Sequence, residues 1–247
     1  MGAAEVPENS PAIWFLRTSR LFDESGETTL GMASSQGRRL EFGRGDCLGQ
    51  AGSGFGGIHL ILEGRVKFRT FSEGGKEKIL DIAGPGDVFG PLESVLAERQ
   101  SAVGRALVSP DGLATEAVAM SAVVVHRFTL PEFRHLVERR PSVMLSVSRL
   151  LGLKQQQILI RLNRLLFRTS LGKVAGLLAE LSERYGSETP TGRVLSFRLT
   201  HQEMASMIGV KRETVSECLA ILECEGIIAT RQRQITICRP AALDAIE

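Results

Sequence analysis

The spacing of apolar positions changes twice along the chain. From Arg38 to Phe128 they fall in short β-branched runs between glycines. Ile58–Leu62, Val66–Phe71, Ile79–Ile82 and Val123–Phe128 are the clearest runs, with turns at Glu63-Gly64, Gly74-Gly75 and Gly84-Pro85-Gly86-Asp87. This texture predicts an antiparallel roll or barrel. Beyond it, steps of three and four residues take over. Pro131 to His135 opens helical structure, Pro141 suits a first helical turn, and Ser142 to Phe167 can run as one helix of about seven turns. Met144, Val147, Leu151, Gln155, Ile158, Leu162 and Leu165 recur at those steps and predict a coiled-coil seam with one irregular step. So long a helix has too little neighbouring sequence to cover it, and the seam is expected to join two chains. Leu171 to Tyr185 predicts a further amphipathic helix, Gly186 to Gly192 a polar break, and Arg193 to Leu199 a strand.

The stretch Thr200 to Ile228 carries a more specific pattern. Thr200 and Glu203 have capping-box spacing at a helix start. That helix is expected to bury Met204, Ala205 and Ile208 and to stop at Gly209, a residue able to take the left-handed conformation. A second helix buries Val215, Leu219 and Leu222 and ends at Gly226. Two short helices around a glycine form a helix-turn-helix, which by geometry alone can be a packing unit. The first exposed turn of the second helix, however, carries Lys211, Arg212, Glu213, Thr214 and Ser216. Arginine can donate to O6 and N7 of guanine and glutamate can accept from the cytosine amine, from the helix end that enters a major groove. Ile227–Thr230 and Gln234–Cys238 then form a hairpin around Arg231 to Arg233, in the place of a wing.

Upstream, Met1 to about Pro11 reads as a loose leader, and Ile13 to Leu30 as short helices packing Trp14, Phe15, Leu16, Leu21 and Phe22. Pro91 to Leu113 is a long connection with a turn at Ser109-Pro110-Asp111-Gly112. The fold class is thus α+β: an N-terminal antiparallel β-roll, a long dimerisation helix and a C-terminal winged helix-turn-helix. The expected divisions are residues 1–130, 131–168 and 169–247.

Composition narrows the function. With 247 residues and 43% hydrophobic content there is material for two packed cores. A net charge of +2 means that any contact with nucleic acid depends on local placement. Cys47, Cys218, Cys224 and Cys238 lack CxxC spacing, which argues against a zinc knuckle or a disulfide scaffold and fits a reduced cytoplasm. No apolar run has the length of a membrane span, and the N-terminal segment lacks signal-peptide form. Gly52-Ser53-Gly54-Phe55-Gly56-Gly57 satisfies GxGxxG, but a strand rather than a helix is expected after it, so it reads as a loop. The four histidines form no metal-ligand spacing, and neither a nucleophile elbow nor a P-loop occurs, so no enzyme and no metal site is expected.

A glycine-punctuated roll, a seam helix and a winged helix-turn-helix, in this order, resemble the CRP/FNR superfamily of bacterial transcription regulators. The resemblance runs from about Phe22 to Arg239. It is carried by Ile61-Leu62-Glu63-Gly64-Arg65-Val66, by Gly84-Pro85-Gly86-Asp87-Val88-Phe89-Gly90, by Leu199-Thr200-His201-Gln202-Glu203-Met204-Ala205 and by Val210-Lys211-Arg212-Glu213-Thr214-Val215-Ser216. It implies a homodimer reading two half-sites in double-stranded DNA, with Arg212, Glu213, Ser216 and Glu217 facing bases. Glu217 stands where the family usually has arginine, so the half-site is expected to differ. Thr200, His201, Gln202, Lys211 and Thr214, with Arg233 in the wing, fall at phosphate-contact positions, and RNA polymerase is a candidate partner.

The sensor side departs from the resemblance. Gly90 is followed by Pro91 where cyclic-AMP binders have glutamate, and Leu113 and Ala114 align with their Arg-Ser pair; Arg99 with Ser101, or Arg105, are candidates for displaced substitutes, but the local pattern is absent. Ile158 and Leu159 replace the hydroxyl residues that meet adenine. A buried phosphate without cationic or amide partners is costly, so ordinary cyclic AMP control is not expected and the effector is unassigned. An iron–sulfur cluster lacks N-terminal cysteines. His59 and His126 are the haem-ligand candidates, each on an apolar strand where a lone histidine is usually structural; no cofactor is expected. Cys218 and Cys224 read as small buried hydrophobes. The competing function is a ligand-binding roll whose helix-turn-helix is a protein-interaction interface.

Overall fold

The computed structural model describes residues 19, 21–22, 26–50, 55–96, 115–232 and 234–246. The chain divides into two compact units, Met1–Gln155 and Gln156–Glu247.

In the first unit, helix α1 (Glu27–Ser35) is followed by β1 (Arg38–Phe42), β2 (Cys47–Gln50), β3 (Ile58–Glu63), β4 (Val66–Phe71), β5 (Glu77–Ala83) and β6 (Val88–Phe89). A short helix α2 (Glu93–Leu96), strands β7 (Glu116–Ala119) and β8 (Val123–Phe128), helix α3 (Leu130–Arg139) and the start of α4 (Pro141–Phe167) complete it. The strands form two antiparallel sheets, ordered β1-β8-β3-β6 and β2-β7-β4-β5. Between the sheets, alternate residues meet: Ile61, Val123 and Val125 from one face Val66, Ala117 and Ala119 from the other. The outer side of the first sheet is covered as well, because Ile58, Leu60, Leu62 and Phe128 pack with Phe133, Leu136, Val143 and Leu150 of the helices. Burial on both faces explains why Ile58–Leu62, the buried His59 included, shows no alternation of inward apolar and outward polar positions. Leu21 and Phe22 join this core as expected; Trp14, Phe15 and Leu16 lie outside the described residues.

The GxGxxG stretch behaves as a loop in its described part. Phe55 and Gly56 turn directly into β3, and Gly57, at φ 138°, lies where a Cβ would stand 2.2 Å from the Phe128 carbonyl oxygen. That glycine serves a close approach of strands, with no helix N-terminus beyond it to hold a pyrophosphate.

Helix α3 opens with a capping box that spacing did not single out: Thr129 N–H donates to Glu132 Oε2 at 2.7 Å, and Glu132 N–H to Thr129 Oγ1 at 3.4 Å. This bond to the Thr129 amide is the main reason the Glu132 carboxyl is held below its usual pKa. Helix α4 is continuous over the predicted span, but its inward face differs from the expected seam. Val147 is 0% exposed inside the chain's own core beside Val143 and Leu150, and Met144 and Leu151 pack against that core. Val147 is therefore unavailable to a second chain. A helix presents all sides, and the expected series is split between them: Val147 is covered, Met144, Leu151 and Leu165 are half-buried, and Gln155, Ile158 and Leu162 are exposed.

In the second unit, α5 (Ser170–Tyr185), β9 (Gly186–Thr189), β10 (Gly192–Leu195), α6 (His201–Ile208), α7 (Arg212–Cys224), β11 (Ile228–Arg231), β12 (Gln234–Ile237) and α8 (Pro240–Asp244) follow the end of α4. The sheet order is β11-β12-β10-β9. The segment expected to be a polar break is thus a strand, β9. Arg193 lies directly opposite Glu188 in the hairpin, with its Nε donating to Glu188 Oε1 at 2.7 Å. A cross-strand ion pair replaced the apolar alternation by which a strand is recognised. Strand β10 also stops at Leu195 instead of Leu199, because Ser196 bonds the Tyr185 carbonyl through its backbone N–H at 3.2 Å and its hydroxyl at 2.5 Å. At the end of α4, Arg161 and Arg164 reach Glu180 of α5 at 2.5 and 3.3 Å, and Arg184 stands 3.7 Å from the same carboxylate.

Candidate nucleic-acid interface

Helix α6 begins with the expected capping box. Thr200 N–H donates to Glu203 Oε2 at 2.9 Å and Glu203 N–H to Thr200 Oγ1 at 3.1 Å. The Thr200 hydroxyl lies 2.9 Å from the same Glu203 oxygen, so it is committed to the cap. His201 and Gln202, both exposed, are the side chains left at this helix start for other partners. Gly209 ends α6 at φ 74° and ψ 26°, and its N–H bonds the Ala205 carbonyl. A residue with a Cβ is strained there. This turn sets α7 off from α6 after only Val210 and Lys211.

Helix α7 buries Val215, Cys218, Leu219 and Leu222. Those positions hold it against the domain, and the spacing of a helix then puts Arg212, Glu213 and Glu217 outside, all exposed, with Thr214 and Ser216 half-buried. Lys211, the N-cap, makes no side-chain capping bond, so the opening amides of α7 have no side-chain acceptor there and suit an anion such as a DNA phosphate. At the other end, Arg239 Nε donates to the Gly226 carbonyl at 3.3 Å and Nη2 donates to that of Glu225. An arginine on the terminal carbonyls complements the helix dipole and pins α7 at its far end.

The wing is present: β11 and β12 pair from Ile228↔Ile237 to Arg231↔Gln234, and Gln232 in the tight connection has φ 50°. Positive φ in a two-residue hairpin loop matches strand twist. Arg233 lies outside the described residues, whereas Arg231 is exposed on β11. One contact in this region has no signal in the sequence. His201 Nδ1 lies 2.7 Å from Ser216 Oγ, which ties a predicted phosphate residue to a predicted base-reading one across fifteen positions.

Cys218 is buried, and burial, reinforced by Glu217, pushes its thiol pKa up, so it is a poor thiolate. Cys224 is exposed, against the expectation of a buried hydrophobe. It lies in the last turn of α7 but off the buried stripe of Val215, Leu219 and Leu222, the last of which is fully buried two residues earlier.

On the sensor side, Gly90 and Pro91 are described, while Arg99, Ser101, Arg105, Leu113 and Ala114 lie outside the described residues. Between the sheets Phe55, Phe68 and Phe89 pack edge to face with centroids 5.2 to 6.2 Å apart, and His59 stacks on Phe89 at 4.7 Å. His126 points to the other face. In the β3–β8 register His59 opposes Arg127 and Leu60 opposes His126, and adjacent rows of a sheet face opposite ways. The two histidines therefore cannot be the axial pair of one haem. His126 Nε2 instead lies 2.7 Å from the Gln36 carbonyl. Among the described residues no group of three or more metal-ligating side chains occurs, and no helix is long and apolar enough to cross a membrane. Ile158 and Leu159 are exposed on α4.

Residues 172–246 match the family model of the Crp-like helix-turn-helix domain, and residues 39–110 that of the cyclic nucleotide-binding domain. The chain is 24% identical over 222 residues to the CRP-like cAMP-activated global transcriptional regulator of Mycobacterium tuberculosis, covering 90% of this chain and 93% of that one. It is 28% identical over 211 residues to the cyclic AMP receptor protein of Thermus thermophilus, covering 85% of each. Among solved structures, a CooA mutant from Carboxydothermus hydrogenoformans shares the fold with a TM-score of 0.68 at 21% identity, covering 91% of this chain and 94% of that one.

Proposed function

The chain belongs to the CRP/FNR superfamily of transcription regulators, and on that premise we propose that it is a homodimer reading two DNA half-sites without ordinary cyclic AMP control. The observation that carries the reading is the face of α7: Arg212, Glu213 and Glu217 exposed together beside amides without a side-chain cap. Arg212 takes guanine by a two-pronged bond and a glutamate accepts from cytosine. His201 and Gln202, with Lys211 and Thr214 and with Arg233 of the wing, position the protein on phosphates.

Dimerisation uses the side of α4 turned away from its own core. Leu145, Leu159 and Leu166 are 62, 58 and 65% exposed and, with Gly152, repeat every seven residues, the period of a two-chain seam. Ile158 and Leu162, also exposed, flank that line, which displaces the seam from Val147. Opposed to the cyclic-AMP reading stand Pro91 after Gly90 and the apolar Ile158 and Leu159. In its favour stand the match of residues 39–110 to the cyclic nucleotide-binding domain and the two relatives, one described as cAMP-activated and the other as a cyclic AMP receptor. RNA polymerase is the partner through which bound protein would act, in the cytoplasm.

The test is binding of purified, demonstrably ligand-free protein to duplexes selected from a random pool, at several salt concentrations. The reading expects sequence preference, affinity falling with salt, and no tightening by added cyclic AMP. Binding without preference refutes the DNA assignment; strong tightening by cyclic AMP refutes the effector assignment alone.

A further inference from the structure

The contact between His201 and Ser216 restricts the protonation state in which the helix-turn-helix meets a phosphate. Ser216 Oγ lies 2.7 Å from His201 Nδ1 and 3.2 Å from the Arg212 carbonyl oxygen. The hydroxyl has one proton to give. Donated to the Arg212 carbonyl, a bond common for serine within a helix, it leaves Oγ free to accept from Nδ1–H, and both bonds form. Donated to Nδ1, it leaves only one. The arrangement with both bonds satisfies one more polar contact, and it fixes the neutral ring with its proton on Nδ1 and a lone pair on Nε2.

His201 is exposed at the first position of α6, the helix that in this motif crosses the sugar-phosphate backbone. Among the described residues Nε2 has no protein partner. A phosphate oxygen offers only lone pairs, so it binds an N–H and repels a bare ring nitrogen. With Nδ1–H committed to Ser216, the neutral ring has no N–H left, whereas the imidazolium keeps that bond and gains Nε2–H together with a positive charge. We propose that His201 binds the DNA backbone in its protonated form and that Ser216, by holding Nδ1–H, imposes that requirement, so that each half-site is occupied with uptake of a proton. The inference rests on the DNA-reading function proposed above. Ser216 is then a positioning residue, its proton given to Arg212 and a lone pair taken by His201, and base reading falls to Arg212, Glu213 and Glu217.

The charged residues on the segments that carry this contact are Arg198 just before α6, Glu203 on α6, already bound to Thr200, and Lys211, Arg212, Glu213 and Glu217 on or beside α7. Helix α5 also packs on α6, but its Lys173 and Glu180 lie by Met207 and Ile208 at the far end.

The experiment measures anisotropy of a labelled selected duplex with the full-length protein at constant ionic strength, from about pH 8.5 to about pH 5.5, the span in which imidazoles titrate. Wild type should bind about tenfold more tightly at the acid end, the scale of a gained charge-assisted bond. His201→Gln, whose amide donates without titrating, should lose that dependence and bind equally at both ends of the range. Ser216→Ala frees the neutral ring to carry its proton on Nε2, so it should show a clearly shallower profile than wild type. Circular dichroism at each pH checks that all three proteins are folded. A wild-type profile no steeper than that of His201→Gln overturns the proposal, as does a Ser216→Ala profile as steep as wild type. Failure of DNA reading itself looks different: wild type would then lack sequence preference at every pH, and both inferences would fall.

Discussion

His59 makes the β-roll sensitive to acid, in an amount that follows from where it sits. The side chain is 1% exposed between the two sheets and stacked on Phe89 with rings 6° from parallel. Burial, aided by the Arg127 charge and partly offset by a backbone hydrogen bond to Gly57, lowers its pKa from 6.5 to about 4. Above the unfolded value both states hold a neutral ring, and the stability that burial of that neutral ring allows is complete. As pH falls below 6.5 the unfolded chain takes up a proton that the folded roll refuses, and stability is lost until the folded group itself protonates near pH 4. A tenfold difference in proton affinity is worth about 1.4 kcal/mol, so the window carries about 3 kcal/mol. His59→Phe keeps a flat ring against Phe89 and removes the titration. Urea unfolding of both proteins, followed by far-ultraviolet circular dichroism at a series of pH values, isolates the effect, because every other titrating group cancels in the difference. The variant should gain about 2 to 3 kcal/mol on wild type between about pH 7.5 and about pH 4.5. A difference that does not change with pH would refute the argument that burial keeps this ring neutral.

Three further outcomes follow from other elements. Thr200→Ala removes the capping acceptor of α6 and should cost about 1 kcal/mol in the denaturant midpoint analysis, with DNA affinity falling at all sequences alike. Leu159→Glu puts a charge on the outward line of α4 and should shift sedimentation from dimer to monomer with the circular dichroism of the fold unchanged; a stable dimer would remove this face from the seam. Glu180→Ala leaves Arg161, Arg164 and Arg184 without their shared carboxylate and should cost about 3 kcal/mol by thermal or urea unfolding, the scale of breaking a largely desolvated ion-pair cluster.

Much of the fold was legible because it rests on local rules. The capping box at Thr200 and Glu203, the left-handed Gly209 and the buried steps Val215, Leu219 and Leu222 each depend on residues a few positions apart, so spacing determined them. Strand β8 and helix α4 were likewise set by their own periodicities. What spacing could not decide was which side of an element meets what. The apolar steps of α4 named a seam through Val147, but only the sheet packed against Val143, Val147 and Leu150 decided which side is covered and which line, through Leu145, Leu159 and Leu166, stays open. Strand β9 was hidden because a charged pair with Arg193 replaced apolar alternation. The bond from His201 to Ser216 exists only once Gly209 has folded α7 back toward the start of α6. By itself, then, the sequence determined which side chains are able to meet DNA, through chemistry that is local to each residue. The tertiary structure decided which of them are already bound to one another, because hydrogen bonds between distant positions depend on packing that no local period encodes.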